Sequence, residues 1–166
     1  PSAYETGISC TRWIYKSAAR TVIVTVRTAA ADPALLTRIE VQGNPCRFLL
    51  TGEVVMGGGE FEASPTMQIH AAEGIVTFRP DPAELLAQRQ PQAVYKLVVP
   101  EAGTVEAFGG DELLYADAVE RNHPYLVLRT APVQSFVYVI TGSMENAVAA
   151  DRLADQYRKV EGGEGR

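Results

Sequence analysis

The sequence predicts a mainly β fold. It reads as a sandwich or barrel of about ten short antiparallel strands, with a C-terminal amphipathic helix and one short internal helix. Three observations predict it. Short runs rich in Val, Ile, Thr, Tyr and Phe recur, with Gly, Pro, Asn or Asp between them at the spacing of an antiparallel sandwich. Arg20–Thr28 alternates in side-chain character as a half-buried strand should. The stretch 135–160 passes from a continuous β-branched and aromatic run into a 3.6-residue period. At 166 residues the chain is expected to be one β-rich domain, with 161–166 as a polar, glycine-rich tail.

The elements follow in order. Residues 1–7 read as a polar lead-in. Residues 8–16 alternate imperfectly, with Thr11, Trp13 and Tyr15 on one face and Cys10, Arg12 and Ile14 on the other. Trp13 is expected to anchor the core. Val22, Val24 and Val26 line one face of Arg20–Thr28, and Ser17-Ala18-Ala19 is short enough for a hairpin. Asp32-Pro33 could start a helical turn. Residues 38–42 make a short strand closed by Gly43-Asn44-Pro45. Residues 46–50 and 53–56 follow, interrupted by a bulge or tight turn at Thr51-Gly52. Gly57-Gly58-Gly59 is a turn across which residues 60–63 pair back. Residues 66–71 and Ile75–Arg79 form a hairpin over Ala72-Glu73-Gly74.

Residues 80–91 are the internal helix, with Asp81 as cap, Pro82 in the first turn and Pro91 as the stop. Residues 94–99, 104–108, 113–119, 125–129 and 136–140 complete the strands, with 111–119 helical as the alternative. Residues 24–36 and 76–86 share an echo, a strand followed by Asp-Pro-Ala and a Leu pair, that is too short to be a repeat.

Residues 136–140 should be a central strand covered on both faces. Thr141-Gly142-Ser143 breaks it, and Ser143 is the natural N-cap of the helix that follows. Ala147, Ala150, Leu153, Ala154, Tyr157 and Val160 fall on one side of that helix. Asp155 and Lys159 form a favourable pair on the other. Half of the stripe is alanine, so the helix should lie close on a sheet. The strand, Gly-Ser turn and Asn-Ala helix of residues 136–157 loosely resemble half of a SPOR-type peptidoglycan-binding domain. The second half that this resemblance requires does not follow in the sequence.

Composition narrows the function. Net charge is −5, so nucleic-acid binding by a basic surface is disfavoured. The charge is uneven, at +3 over residues 1–50 and −8 over 51–166. No run of 18 apolar residues is present, so no membrane span is expected. The start, PSAYETGISC, has no apolar core. No signal peptide and cytoplasmic synthesis are therefore expected. Cys10 and Cys46 are the only cysteines and have neither disulfide-framework nor zinc spacing. They are expected to be small buried hydrophobes, with a single bridge as the alternative.

No residue is assigned to a catalytic, cofactor or metal site. Gly109-Gly110-Asp111-Glu112-Leu113 resembles the diguanylate-cyclase signature, whose Gly-Gly-Asp-Glu turn implies metal and phosphate binding. The β-rich surroundings predict instead a turn in which Gly109 and Gly110 allow positive φ. Gly57-Gly58-Gly59 lacks the Lys-Ser/Thr of a phosphate loop. His70 in a strand and His123 in a turn are the only histidines, and no ligand pair has local metal spacing. Glu53, Glu60 and Glu62 are placed where carboxylates could meet across strands.

The expected function is a non-enzymatic structural or assembly subunit, acting through protein–protein contacts in a homo-oligomer or hetero-complex. A phage capsid, tail or decoration protein is one such component. The tail, with no apolar side chain, would need a neighbouring subunit to order it. The alternative is a small-molecule-binding barrel, or a barrel enzyme using a histidine with a glutamate. A nucleic-acid module would need Arg12, Lys16, Arg20 and Arg27 on one face.

Overall fold

A computed structural model describes residues 2–56, 65–119 and 125–159. The glycine turn at 57–59, the strand expected at 60–63, Glu60, Glu62, His123 and its turn, Val160 and the tail 161–166 lie outside the described residues. The elements are β1 (Ala3–Thr6), β2 (Cys10–Lys16), β3 (Arg20–Thr28), β4 (Ala34–Gly43), β5 (Leu49–Glu53), β6 (Thr66–His70) and β7 (Ile75–Arg79). Then come α1 (Leu85–Arg89), β8 (Val94–Val98), β9 (Val105–Gly109), β10 (Tyr125–Thr130), β11 (Ser135–Ser143) and α2 (Ala147–Arg158).

Two antiparallel sheets face each other, so the fold is a sandwich. The larger has the order β1-β2-β3-β4-β11-β8-β7-β6, and the smaller β5-β10-β9. The period-2 alternation splits the large sheet's side chains between two environments. Ile39, Phe136, Leu97, Val76 and Phe78 point to the small sheet and meet Leu126 and Leu128 from β10. Ala34, Val139, Val98 and Ile75 point the other way and meet Ala154 and Tyr157 of α2. The molecule thus has three layers, α2, large sheet and small sheet. As expected, β11 is central, with the small sheet on one side and the helix on the other.

Ala150 and Ala154 are fully buried, which lets the helix axis sit close to β11 and β8. Tyr157 supplies the bulk and fixes the helix end. Its hydroxyl donates to Asp32 Oδ2 at 3.1 Å, and Gln156 Nε2 donates to the same oxygen at 3.3 Å. Burial, then that hydrogen bond and the carboxylate's charge, push the Tyr157 hydroxyl up to about 12. Lys96 on β8 reaches Asp151 at 2.6 Å across the same interface.

Several expectations are corrected. Residues 3–6 are not a lead-in but the edge strand β1, paired with β2 from Ala3↔Ile14 to Thr6↔Thr11. Asp32-Pro33 starts no helical turn; β4 begins at Ala34, which lies opposite Thr141. Thr51-Gly52 does not interrupt a strand, because β5 runs through it opposite Val127 and Leu126. Thr141-Gly142-Ser143 continues β11 opposite Lys96, Tyr95 and Val94. The helix cap is therefore Asn146, whose side chain accepts from Ala149 N at 3.1 Å. Ser143 Oγ accepts from Asn146 N at 2.9 Å and holds the preceding turn. Asp155 pairs with Arg158 at 3.5 Å. The internal helix is only α1, and Asp81 accepts from Ala83 N in the turn before it. Residues 113–119 form neither strand nor α-helix, since a 3-10 turn at Asp111–Leu113 is followed by bends.

Candidate functional site

The sandwich gapes at one end. Between β5 with the 54–56 segment on one side and β11, β8 and α1 on the other lies a cleft of about 610 Å³. Leu50, Met56, Phe78, Leu86, Leu97 and Leu128 make its floor apolar. Tyr95 and Tyr138 bring polar atoms to it. Val55, Tyr95 and Ile140 are exposed around it, as is Leu85 on α1 beside Leu86. The cleft exists because β11 and β8 present large residues on their inner faces beyond the reach of β5. Among the described residues, Glu53 is the only charged residue along the cleft, and the β5 register puts its side chain on the exposed outer face of the small sheet, opposite to Leu50.

A second hollow of about 630 Å³ lies beside the Gly-Gly-Asp-Glu turn, with Met67, Ile69 and Phe108 on its apolar side. The turn's acidic groups are engaged with backbone. Asp111 Oδ1 accepts from Tyr125 N at 2.8 Å, and Glu112 Oε1 accepts from Gly110 N at 2.8 Å. Asp111 thus ties the turn to β10, and Glu112 closes the turn on itself. Gly109 and Gly110 do not take positive φ. They are small because Glu112 and Leu113 fold back over them, and a Cβ on Gly109 would lie 2.3 Å from Glu112 Oε1.

The other candidate residues stay apart. His70 ends β6 on the face of the large sheet that carries α2, opposite Ile75. Glu53 lies along the cleft on the other side of that sheet, so the two form no acid–base pair. Cys10 shares His70's face, but five strands separate β2 from β6, a distance of ~29 Å at strand spacing. Cys10 and Cys46 are free thiols and only half-buried, because β2 lies toward an edge and Cys46 sits in an isolated bridge to Val133. Arg12, Lys16 and Arg27 share one face of β2 and β3, whereas the register puts Arg20 on the opposite face. Arg12 pairs with Glu5 at 3.2 Å.

Sequence reasoning missed two groupings. Tyr95 and Tyr138 reach the cleft from separate strands with no motif between them. Tyr4 and Trp13, cross-strand partners on β1 and β2, bring their rings to 5.7 Å between centroids. Trp13 belongs to neither core cluster, contrary to expectation, because β2 lies beyond the edge of the small sheet. The signal that could have found the pair is the alternation Tyr4, Thr6 against Ala3, Glu5, read as a strand.

Three layers with an apolar end cleft define an antiparallel sandwich domain. Residues 1–142 match the family model of the glycoside phosphorylase supersandwich domain, and the chain belongs to that family. The match ends inside β11, so α2 lies beyond it. A search of curated proteins finds no match.

Proposed function

We propose that this chain is a non-catalytic sandwich domain of a glycoside phosphorylase and works through protein–protein contacts. One observation carries the reading. Phosphorolysis needs a site that holds phosphate, a multiply charged anion, and such sites are built from Arg, Lys or clustered backbone N–H groups. The end cleft instead offers an apolar floor and, among the described residues, no Lys, Arg or His in its lining. The second hollow offers Asp111, Glu112 and Asp117. Among the described residues, neither gives phosphate a cationic partner. The apolar rim of Val55, Leu85, Tyr95 and Ile140 suits packing against another protein surface. Of the settings expected for an assembly subunit, the family match supports a glycoside phosphorylase over a virion.

The test has two arms. The chain alone, given inorganic phosphate and neutral oligosaccharides, should release no sugar 1-phosphate. Mixed with a glycoside-phosphorylase catalytic domain, it should co-elute on size exclusion with light scattering. An Ile140→Asp change in the rim should abolish co-elution. Phosphate-dependent turnover by the chain alone would overturn the reading.

A second reading is favoured by the cleft's volume, which falls in the range of small-molecule pockets. On this reading Tyr95 and Tyr138 orient an apolar ligand. Thermal stabilisation by such ligands, removed by a cleft-filling Leu50→Trp substitution, would support it.

A further inference from the structure

The outer part of the large sheet, against which no element of the small sheet is seen to pack among the described residues, carries a different surface. On the face that elsewhere meets the small sheet, β1 and β2 present Tyr4, Thr6, Thr11, Trp13 and Tyr15. None of these five is charged. Tyr4 and Tyr15 are 59% and 45% exposed. Tyr4 lies directly across from Trp13, and Thr6 directly across from Thr11. Tyr15 follows Trp13 on the same face, two residues or about 6.8 Å along the strand.

We propose that this surface is a glycan-binding platform, taking a neutral, soluble oligosaccharide by stacking sugar rings on Tyr4, Trp13 and Tyr15. The chemistry selects the ligand. A pyranose presents weakly positive C–H groups on one face, and an aromatic ring presents the negative face of its quadrupole. Hydroxyls at the sugar's edge need donors and acceptors beside the rings, and Thr6 and Thr11 supply both. Stacking itself asks for no charge on the sugar, and the cation on this face, Arg20 of β3, lies beyond Val22 at the Tyr15 end. The geometry narrows the class further. The Tyr4 and Trp13 rings are tilted by 56°, so they cannot both lie on a flat crystalline polysaccharide. They fit successive sugars that turn relative to one another along a free chain. The choice of a sugar rests in part on the proposed place in a glycoside phosphorylase, which must meet oligosaccharides; the ring geometry does not.

Trp13 is the only tryptophan, so its fluorescence reports this site and no other. The chain is titrated with neutral linear gluco-oligosaccharides of different linkage, with microcrystalline cellulose as the flat surface. A saturable shift in Trp13 emission is expected with at least one soluble series, and no pull-down on cellulose. Tyr4→Ala should weaken that binding about tenfold or more. All four residues of β1 are exposed, so this change leaves the core intact. Trp13→Ala, followed by calorimetry, should abolish binding. Three results would each overturn the proposal: no shift across the panel, a shift indifferent to Tyr4→Ala, or a sugar-independent shift that tracks dimer formation by light scattering. Co-elution with a catalytic domain should survive Tyr4→Ala, so failure here and failure of the functional reading are separate results.

Discussion

The hydroxyl of Tyr157 is a test of how α2 is held. Tyr157→Phe keeps the buried ring against Ile75 and Val139 and removes only the hydrogen bond to Asp32. A hydrogen bond to a charged partner contributes about 1.5–3 kcal/mol when both ends are dry. Asp32 is half-exposed and water can replace the lost donor, so the cost should be ~1–1.5 kcal/mol. For a chain of this length that lowers Tm by about 3–5 °C. The pH dependence is a second, sharper signature. The folded state raises the hydroxyl pKa from 10.0 to about 12, so it holds the proton more tightly than the unfolded chain does. The resulting stability is fully present below about pH 10 and is lost as pH rises through 12. The shift corresponds to at most about 2.7 kcal/mol, and water at the hydroxyl end reduces this to ~1 kcal/mol. Urea denaturation followed by far-ultraviolet circular dichroism at pH 7, 9.5 and 11.5 measures both effects. The wild type should lose its advantage over Tyr157→Phe across the upper interval. Equal stability at pH 7, together with parallel alkaline decline, would refute the anchoring role of this contact.

Three further outcomes are expected. Gly142→Ala should destabilise by ~2–3 kcal/mol in urea melts, because its Cβ would sit 2.5 Å from Val94 O inside the β11–β8 ladder. Gly52→Ala, with nothing within 4 Å, should cost little by the same measurement. Asn146→Ala removes the α2 cap and should cost ~1 kcal/mol, with faster amide exchange in the first helical turn, whereas Ser143→Ala should cost less. Leu128→Ala should cost ~2–5 kcal/mol because Leu128 is fully buried between the sheets, while Leu49→Ala on the neighbouring strand, 55% exposed, should stay within about 0.5 kcal/mol by chemical denaturation.

The fold class was legible because it depends on local signals. Arg20–Thr28 and Ile75–Arg79 each carry their own alternation and turn residues, and both strands have the expected bounds. The small-residue stripe of α2 likewise named its buried face. What escaped was set by partners far away in sequence. All of β1 is exposed, so no apolar pattern marks it; only β2 makes it a strand. The end cleft was invisible for the same reason. Its walls come from β5, β8, β10 and β11, which no spacing rule connects. Trp13 was misassigned because burial at a strand position depends on whether a second sheet lies opposite, and here the second sheet has only three strands.

The echo between residues 24–36 and 76–86 isolates that nonlocal term. Both copies run from a strand through Asp-Pro-Ala to a Leu pair. In the first, Ala34 and Leu35 become strand; in the second, Leu85 and Leu86 become helix. Local propensity separates them only weakly, through Glu84 and the approaching Pro91 in the second copy. The decisive difference is what stands alongside. Leu35 finds Thr28 on one side and Ile140 on the other, and Thr141 Oγ1 donates to Pro33 O at 3.1 Å to seat the strand start. Leu85 and Leu86 have no such ladder. The backbone around them bonds within its own turn, with Gln88 N donating to Glu84 O at 3.1 Å and Gln90 N to Leu86 O at 2.7 Å. A free pair of strand edges outweighs the few tenths of a kcal/mol by which these residues favour a helix. The same competition places the cleft. Because the second copy coils into α1 instead of extending, Leu86 lies at the mouth of the sandwich and, among the described residues, no strand covers Tyr95 there.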